Sequence, residues 1–154
     1  MRYLVFAALL TLTAPTVADE NDEKAAWLAE HAIPVRTIDA ADEDFSDLMP
    51  LIDRIGDARI VGLGEQSHGA GATFRAKVRM VKFLHQVMGV DVLVWESGFY
   101  DCRAVDRAFR AGADIDAARA EGIFPIWGWA DQVRPVLEYV KATQGTLHPL
   151  QSAG

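Results

Sequence analysis

The stretch Arg59–Gly69, with the sequence RIVGLGEQSHG, decides the fold. Its apolar residues 60–63 predict a short strand that is buried on both faces, as in a parallel sheet. The glycines that follow allow a sharp turn, so Glu65 and His68 are expected to project from a tight connection between strand and helix. In open α/β sheets the ligand crevice lies at the carboxyl ends of the strands. The stretch therefore predicts an α/β fold with a Glu/His pair beside its ligand crevice.

A helix and a second strand follow this stretch. Apolar residues recur at helical spacing over residues 73–88, and the apolar run at residues 90–95 predicts the second strand. A strand–helix–strand unit of this kind is parallel and right-handed. Its two strands end at the same edge of the sheet, so Glu96 is expected to lie beside Glu65 and His68. The predicted fold is thus α/β, with a parallel sheet and flanking helices.

Two basic residues of the predicted helix have different expected surroundings. Lys77 falls inside the apolar stripe, where a lysine either extends to solvent along its own stem or pairs with a carboxylate such as Glu65. Arg79 lies with the polar residues on the other side of the helix. His85, near the stripe but farther from the crevice, is interpreted as a structural histidine.

The rest of the chain contains further helical patterns and one aromatic segment. Helices are predicted at residues 25–32, 48–55, 100–111 and 114–121, followed by a last helix that Asp131 caps. Residues 123–129 are interpreted as a loop in which Trp127 and Trp129 flank a glycine. Two such tryptophans either line an apolar ligand pocket or pack into the core. Residues 148–154 begin a further element.

The N-terminus has the pattern of a secretory signal peptide. Arg2 supplies the positive charge, residues 4–12 form the apolar segment, and Ala18 ends a small-residue cleavage site. The apolar segment is short for a bilayer span, and no cysteine follows it for lipid attachment, so a secreted or periplasmic protein without a membrane anchor is expected. The expected organisation is a signal peptide at 1–18, a charged leader with a short helix at 19–32, and an α/β domain at 33–154.

The composition limits the kinds of partner and site that the protein can have. The 154-residue chain has a formal net charge of -7 and a single cysteine. It has no basic stripe to displace phosphate counterions, so no nucleic-acid partner is expected. Cys102 is interpreted as a small buried hydrophobe, because one cysteine allows neither an intrachain disulfide nor a cysteine-based zinc site. The acidic run at residues 39–47 is interpreted as a solvated loop.

Two neighbouring carboxylates and a histidine form a group that can take up and release a proton. Repulsion between Glu65 and Glu96 is expected to raise the pKa of one of the two carboxyls. With His68, such a group can activate a water near neutral pH. The same three residues could ligate a divalent metal, but Glu-x-x-His spacing alone is a weak metal signal, and no cofactor is expected.

Four motifs occur in order along the chain. They are Asp57–Gly69 (DARIVGLGEQSHG), then Phe74, Lys77 and Arg79 in the next helix, then Trp95–Phe99 (WESGF), and finally the segment with Trp127 and Trp129. From about Ile33 to the last residue, this set resembles the N-terminal part of the erythromycin esterase family. The resemblance implies an α/β fold and hydrolysis of an ester, in the named members the lactone of a macrolide antibiotic. It also implies that His68 is the general base that activates water and that Glu65 and Glu96 are essential carboxylates.

The resemblance also indicates which residues bind the substrate and whether the chain is a complete family member. Lys77 occupies a basic helix position that is an arginine in some members, and Lys77, Trp127 and Trp129 are the expected substrate-binding residues. Family members are considerably longer, and a C-terminal half supplies a further catalytic histidine and much of their substrate cleft. The chain is therefore expected to be an incomplete fragment with little activity of its own, whose complete form hydrolyses a small-molecule ester and, if that ester is a macrolide, confers antibiotic resistance. The alternative is an inert binding domain that holds a hydrophobic ligand without turnover.

Overall fold

The computed structural model describes residues 19–154, and the predicted signal peptide lies outside them. These residues belong to two compact units, Met1–Ile33 and Pro34–Gly154, of which the first is described from residue 19 onward. No helix within the described residues combines the length and the apolar character needed to cross a membrane.

The first unit contributes helix α1, Glu20–His31. Asp19 caps this helix, because its side chain accepts a hydrogen bond from the backbone N–H of Asn21. Three acidic residues in the first turn interact favourably with the positive end of the helix dipole. The leader predicted at residues 19–24 is therefore mostly helical, since its carboxylates suit a helix N-terminus.

The second unit combines helices with a small parallel sheet, which agrees broadly with the predicted α/β class. Its elements are α2 (Leu51–Ile55), α3 (Gly71–Gln86), β1 (Val92–Val94), α4 (Phe99–Arg110), α5 (Ile115–Gly122), α6 (Pro125–Gly128), α7 (Arg134–Thr143) and β2 (Gln151–Ala153). The helices predicted at residues 73–88, 100–111 and 114–121 are confirmed within a few residues as α3, α4 and α5.

Three other helices differ from the predictions. α2 begins at Leu51 rather than at residue 48, because residues 46–50 form turns. α6 is a single helical turn in the segment predicted to be a loop, and it begins at Pro125, where the fixed φ of proline suits a helix start. α7 begins at Arg134 without a side-chain cap, so Asp131 does not have the predicted capping role.

β1 and β2 form the sheet by pairing in parallel. The register places Val92 opposite Gln151, Leu93 opposite Ser152, and Val94 opposite Ala153. The element predicted to begin at residue 148 thus contains the strand β2. Helices α4 to α7 lie between the two strands in the chain, which provides the long crossover that parallel strands require.

The strand predicted at residues 60–63 is not formed, which corrects the predicted strand–helix–strand unit. Ile60 is 89% exposed. Residues 59–65 make no backbone hydrogen bond to another described residue, and neither β1 nor β2 pairs with them. A strand requires a ladder with a neighbour. Residues 60–63 have no such neighbour among the described residues. They therefore form an irregular segment despite their apolar sequence.

The core lies between α3 and the helices that follow β1. Its fully or nearly fully buried side chains include Phe74, Val78 and Val81 from α3, Val105 and Phe109 from α4, and Val136, Leu137 and Val140 from α7. The predicted apolar stripe of α3 is therefore the face that packs inward. Each such side chain stabilises the fold by about 1.5 to 3 kcal/mol when fully buried, and the packing fixes α3 relative to α7.

Two residues predicted to be structural are buried. Cys102 is a free buried thiol, as expected. His85 is hydrogen-bonded through Nδ1 to the hydroxyl of Tyr139 at 2.6 Å and through Nε2 to the carbonyl of His148 at 3.1 Å. Burial lowers the pKa of His85. Both ring nitrogens are thus occupied within the fold, which is consistent with a structural role.

Arg79 corrects a further prediction, because it is only 1% exposed. Its guanidinium donates to both carboxylate oxygens of Asp47, at 2.9 and 2.6 Å, and also to the carbonyls of Thr37 and Asp44. The guanidinium holds the pKa of the Asp47 carboxyl well below its usual range. The acidic run at residues 39–47 is therefore folded against α3, since a buried cation needs paired carboxylates.

Candidate active site

A cavity of about 300 Å³ lies between the irregular segment that precedes α3 and the end of β1. Four polar side chains line it, and these are Glu65, His68, Lys77 and Glu96. The apolar part of its lining includes Phe74, Val78, Val81, Leu93, Trp127, Val133 and Val136. The residues predicted from the sequence to carry the chemistry thus border one cavity, although they come from distant parts of the chain.

Glu65 is the central residue of the polar group. One of its carboxylate oxygens, Oε1, is hydrogen-bonded to Nδ1 of His68, and the other, Oε2, accepts a 2.8 Å hydrogen bond from Nζ of Lys77. The Glu65 side chain is only 12% exposed. The Lys77 ammonium lowers the pKa of Glu65, the hydrogen bond to His68 lowers it further, and burial opposes both effects. Glu65 is therefore an ionised carboxylate, and the predicted ion pair between Lys77 and Glu65 is confirmed.

The contact with Glu65 orients the His68 ring. An ionised carboxylate only accepts hydrogen bonds, so Nδ1 of His68 carries the proton in this contact and the unprotonated nitrogen of the neutral ring is Nε2. The His68 side chain is 59% exposed. Its imidazole is thus both oriented by a carboxylate and accessible to solvent, which is the arrangement that a general base requires.

Trp127 also packs against the histidine. Its ring meets the His68 imidazole edge to face, with the centroids 4.8 Å apart, and also contacts the ring of Phe74 at 5.7 Å. The indole N–H donates to the backbone carbonyl of Glu96 at 3.2 Å. Trp127 therefore connects His68 with the turn that follows β1.

Glu96 lies where the sequence predicts it, immediately after β1, and it borders the same cavity. Among the described residues, its carboxylate makes no hydrogen bond or ion pair with Glu65 or His68. The expected repulsion between two carboxylates does not control Glu65, whose pKa is lowered rather than raised. The ammonium of Lys77 is the main cause of this lowered pKa, because it is hydrogen-bonded directly to Glu65.

Trp129 does not share the position of Trp127. It is 56% exposed and is absent from the lining of this cavity. The guanidinium carbon of Arg119 lies 4.7 Å from the centroid of its ring, so Trp129 makes a cation–π interaction with a residue that does not line the cavity. Of the two tryptophans predicted to bind substrate, only Trp127 lines the cavity.

Sequence reasoning missed most of the cavity wall. Val78 and Val81 of α3, together with Val133 and Val136, form much of its apolar surface. The helical stripes that contain these residues were visible in the sequence, but a stripe shows only that a face is buried. Whether it faces a filled core or an open cavity depends on how α3 and α7 pack together.

The donor set does not fit a metal site. Among residues 19–154, no group of three or more histidine, cysteine, aspartate or glutamate side chains could hold a metal ion. The two oxygens of Glu65 are directed to Lys77 and His68. An ammonium group at 2.8 Å from a carboxylate oxygen occupies the place where a divalent cation would bind.

No family model matches the chain. A protein of Bacillus subtilis (strain 168), YbfO, whose name describes it as a hydrolase, is 35% identical over 133 residues, which are 83% of this chain and 28% of YbfO. Erythromycin esterase type II of Escherichia coli is 29% identical over 94 residues, which are 60% of this chain and 22% of that protein. The chain thus spans about a quarter of the length of these curated relatives.

Two crystal structures match the fold at a TM-score of 0.77. One is a protein from Bacillus cereus with 28% sequence identity, and the match covers 88% of this chain and 33% of that chain. The other is described as a succinoglycan biosynthesis protein, with 26% identity, and the match covers 89% of this chain and 35% of that chain. The chain is therefore similar to a portion of longer proteins, among which are proteins named as a hydrolase and an esterase.

Proposed function

We propose that residues 34–154 carry the water-activating part of an ester hydrolase of the erythromycin esterase type, whose complete form is longer. The observation that carries this proposal is the hydrogen-bonded series Lys77–Glu65–His68 at the rim of the cavity. A half-buried lysine holds a carboxylate, and the carboxylate orients an accessible imidazole. The similarity to proteins named as a hydrolase and an esterase supports the same reaction class.

In the proposed reaction, Nε2 of His68 removes a proton from a water while the water oxygen attacks the ester carbonyl carbon. The resulting tetrahedral intermediate collapses when its bond to the alcohol oxygen breaks. The leaving alcohol takes the proton from His68, so that one water is consumed and one acid and one alcohol are formed. Glu65 stabilises the imidazolium during this cycle, and Lys77 positions Glu65.

Glu96 has the second carboxylate role in this proposal. It follows β1 at the rim of the cavity, and its backbone carbonyl is held by the indole of Trp127. From this position its carboxylate can accept a hydrogen bond from the attacking water or from a substrate hydroxyl. The assignment rests on its place at the rim and on its resemblance to an essential carboxylate of the family.

A macrolide lactone is the proposed substrate class. The cavity combines a polar rim with an apolar wall that includes Phe74 and Trp127, which suits a ligand with an ester group on a largely apolar ring. The similarity to an erythromycin esterase favours the same class. We also propose that the protein is exported through residues 1–18 and acts outside the cytoplasm, without a membrane anchor and without a nucleic-acid partner.

A second candidate function is ligand binding without turnover. The apolar character of most of the cavity wall favours this alternative, because such a cavity binds an apolar ligand regardless of chemistry at its rim. The two functions differ in their dependence on His68. Binding by the apolar wall does not need the imidazole, whereas the proposed hydrolysis does.

The test compares the 154-residue chain with a fusion in which this chain replaces the matching part of YbfO. Both are assayed with p-nitrophenyl butyrate and with erythromycin, with and without EDTA. His68→Ala should lower the hydrolysis rate of the active form by about 10²- to 10⁴-fold, the usual contribution of a general base. His31→Ala, in α1, is the matched control and should have no effect.

The outcomes separate the two functions. Equal rates in the parent protein and in His68→Ala would exclude the proposed role of His68. Erythromycin binding that is unchanged by His68→Ala, with no hydrolysis in any form, would favour the binding domain. Inhibition by EDTA would replace the proposed mechanism with a metal-dependent one.

A further inference from the structure

A second cavity, of about 310 Å³, lies beside α4, and it shares no lining residue with the candidate active site. Val92 lines this second cavity, and the next residue of β1, Leu93, lines the candidate active site. Successive side chains of a strand point to opposite faces of a sheet. The second cavity is therefore separate from the candidate active site.

Three arginines of α4 determine the charge of this cavity. Arg103, Arg107 and Arg110 all line it, and the second and third of them lie four and seven positions after the first. Residues at this spacing share one face of a helix. Asp106 is the one carboxylate among the described side chains of the lining. Three cationic groups thus face one anionic group, an excess of two positive charges in a chain whose formal net charge is -7.

The single carboxylate does not neutralise all three arginines. Asp106 Oδ2 accepts a 2.9 Å hydrogen bond from Nε of Arg110, and Asp106 Oδ1 accepts one of 3.2 Å from the backbone N–H of Ser152. Both oxygens of Asp106 are therefore already hydrogen-bonded. Within residues 19–154, the side chains of Arg103 and Arg107 make no hydrogen bond or ion pair.

The stability of α4 does not account for this arrangement. The negative end of the helix dipole favours Arg107 and Arg110, which lie in the last turn, but not Arg103 near the middle of the helix. Arg103 and Arg107 are four positions apart, and like charges at that spacing destabilise a helix. An anion bound beside both guanidinium groups would offset this repulsion.

The remaining wall of the cavity is partly apolar. Phe99 is 56% exposed and Val92 is 40% exposed, and both line the cavity. Gln151 also lines it, and its exposed side chain carries an amide that can donate and accept hydrogen bonds. A volume of about 310 Å³ lies at the small end of the range for small-molecule sites. The cavity therefore suits a small molecule that has a charged end and an apolar body.

We propose that this cavity binds a small organic anion. Its carboxylate or phosphate group is held by Arg103 and Arg107, and its apolar part lies against Phe99 and Val92. Guanidinium groups present paired N–H donors that match the oxygens of carboxylates and phosphates. The site is separate from the candidate active site, so the proposal holds whether or not the protein hydrolyses an ester.

Isothermal titration calorimetry on the 154-residue chain at low ionic strength tests the proposal. The probes are phenyl phosphate, benzoate, inorganic phosphate and the neutral benzyl alcohol. Phenyl phosphate or benzoate should bind at one site with a dissociation constant of about 1 mM or lower, and the tighter of the two identifies the preferred anionic group. Inorganic phosphate should bind more weakly because it lacks the apolar part, and benzyl alcohol should not bind because it lacks the charge. Added salt should weaken the binding, since dissolved ions screen the charges.

Substitutions on α4 locate the binding. Arg103→Gln and Arg107→Gln should each raise the dissociation constant at least about tenfold, the effect of losing a hydrogen bond between charged groups. Phe99→Ala should weaken the binding of phenyl phosphate but not that of inorganic phosphate. Arg75→Gln is the matched control, because Arg75 is an exposed arginine of α3 outside this cavity, and it should leave the binding unchanged. Without ligand, neither α4 arginine variant should have a lower melting temperature than the parent protein, because each substitution removes a repulsion within the helix.

Two results would overturn the proposal. One is the absence of saturable binding of both phenyl phosphate and benzoate by the folded parent chain at low ionic strength. The other is binding that both α4 arginine variants leave unchanged, or that Arg75→Gln weakens to the same extent, because the anion would then be attracted elsewhere on the surface.

Discussion

Lys77 Nζ lies 2.8 Å from Glu65 Oε2, and the two residues are twelve positions apart in the sequence. This contact joins the first turns of α3 to the segment that carries His68. Its effect on Glu65 is to keep the carboxyl ionised, because the ammonium lowers the pKa of Glu65. The orientation of the candidate base therefore depends on a residue that itself need not contact the reacting atoms.

The first prediction concerns this positioning role. In the active form identified by the hydrolysis assay, Lys77→Met should lower kcat/KM by up to about a hundredfold. The reason is that Glu65 and His68 would be slightly misplaced, and a small misplacement of a catalytic group has an effect of that size. Removing the ammonium should also move the pKa of Glu65 upward toward its ordinary value. Carboxyl NMR titration measures this shift, which a merely structural effect of the substitution would not produce.

Arg75→Met is the control for Lys77→Met, because Arg75 is an exposed residue of the same helix. It should change neither the kinetics nor the titration of Glu65. If Lys77→Met left the pKa of Glu65 where it is in the parent protein, the assigned role of Lys77 would be wrong.

The second prediction concerns the buried pair of Arg79 and Asp47. Asp47→Asn should lower the free energy of unfolding at pH 7 by about 3 kcal/mol, because it leaves a buried guanidinium without its carboxylate partner. Urea titration measures this change. Asp53→Asn, at an exposed position of α2, is the control and should have an effect within about 0.5 kcal/mol.

The same pair predicts a dependence of stability on pH. The pKa of Asp47 is lowered in the folded protein, so the unfolded state binds a proton more readily than the folded state as the pH falls. The contribution of Asp47 to the free energy of unfolding is therefore fully present above its unfolded pKa of about 3.9. It is lost as the pH falls below that value. Melting temperatures from pH 6 to pH 2 should decline less steeply in Asp47→Asn than in the parent protein; parallel curves would contradict the assignment.

The third prediction separates the two tryptophans of the aromatic segment. Trp127→Phe removes the hydrogen bond to the Glu96 carbonyl but keeps an aromatic ring beside His68. It should lower kcat/KM about fivefold, the equivalent of one hydrogen bond of about 1 kcal/mol. Trp129→Phe should leave the kinetics unchanged, because Trp129 is not part of the cavity lining. Equal effects of both substitutions would show that the substrate extends beyond this cavity.

The fourth prediction concerns the packing of α5 on α4. A Cβ atom at Gly122 would lie 2.3 Å from the backbone carbonyl oxygen of Asp101, which cannot move without shifting α4. Gly122→Ala should therefore destabilise the protein by about 1 to 3 kcal/mol, the usual effect of overpacking. Gly145→Ala is the matched control, because nothing lies within 4 Å of its added carbon. Thermal unfolding of the two variants measures the difference, and equal stabilities would show that the helices separate without cost.

The sequence by itself determined the helices that form the scaffold and the residues that border the site. α3 and α4 follow from apolar spacing over three or more turns, because helix hydrogen bonds join residues four positions apart and are therefore local. The motifs around Glu65, His68 and Glu96 were also recognisable, since glycines follow an apolar run and a carboxylate and an imidazole lie three positions apart, although that run does not form the predicted strand. A charge inside an apolar stripe left two alternatives for Lys77, extension to solvent or an ion pair with a carboxylate, and the structure shows the ion pair with Glu65.

Only the tertiary structure decided which segments pair and which charges are buried. β1 pairs with residues 151–153 and not with the apolar residues 60–63, although both sequences are compatible with a strand. Arg79 lies on the polar side of α3 by sequence, yet it is buried because a distant acidic segment folds over it. Trp127 and Trp129 have similar sequence surroundings, but Trp127 is buried and lines the cavity, whereas Trp129 is exposed and does not. Strand pairing, ion pairing and cavity lining all depend on contacts between residues that are far apart in the chain, and local spacing contains no information about which distant partner is present.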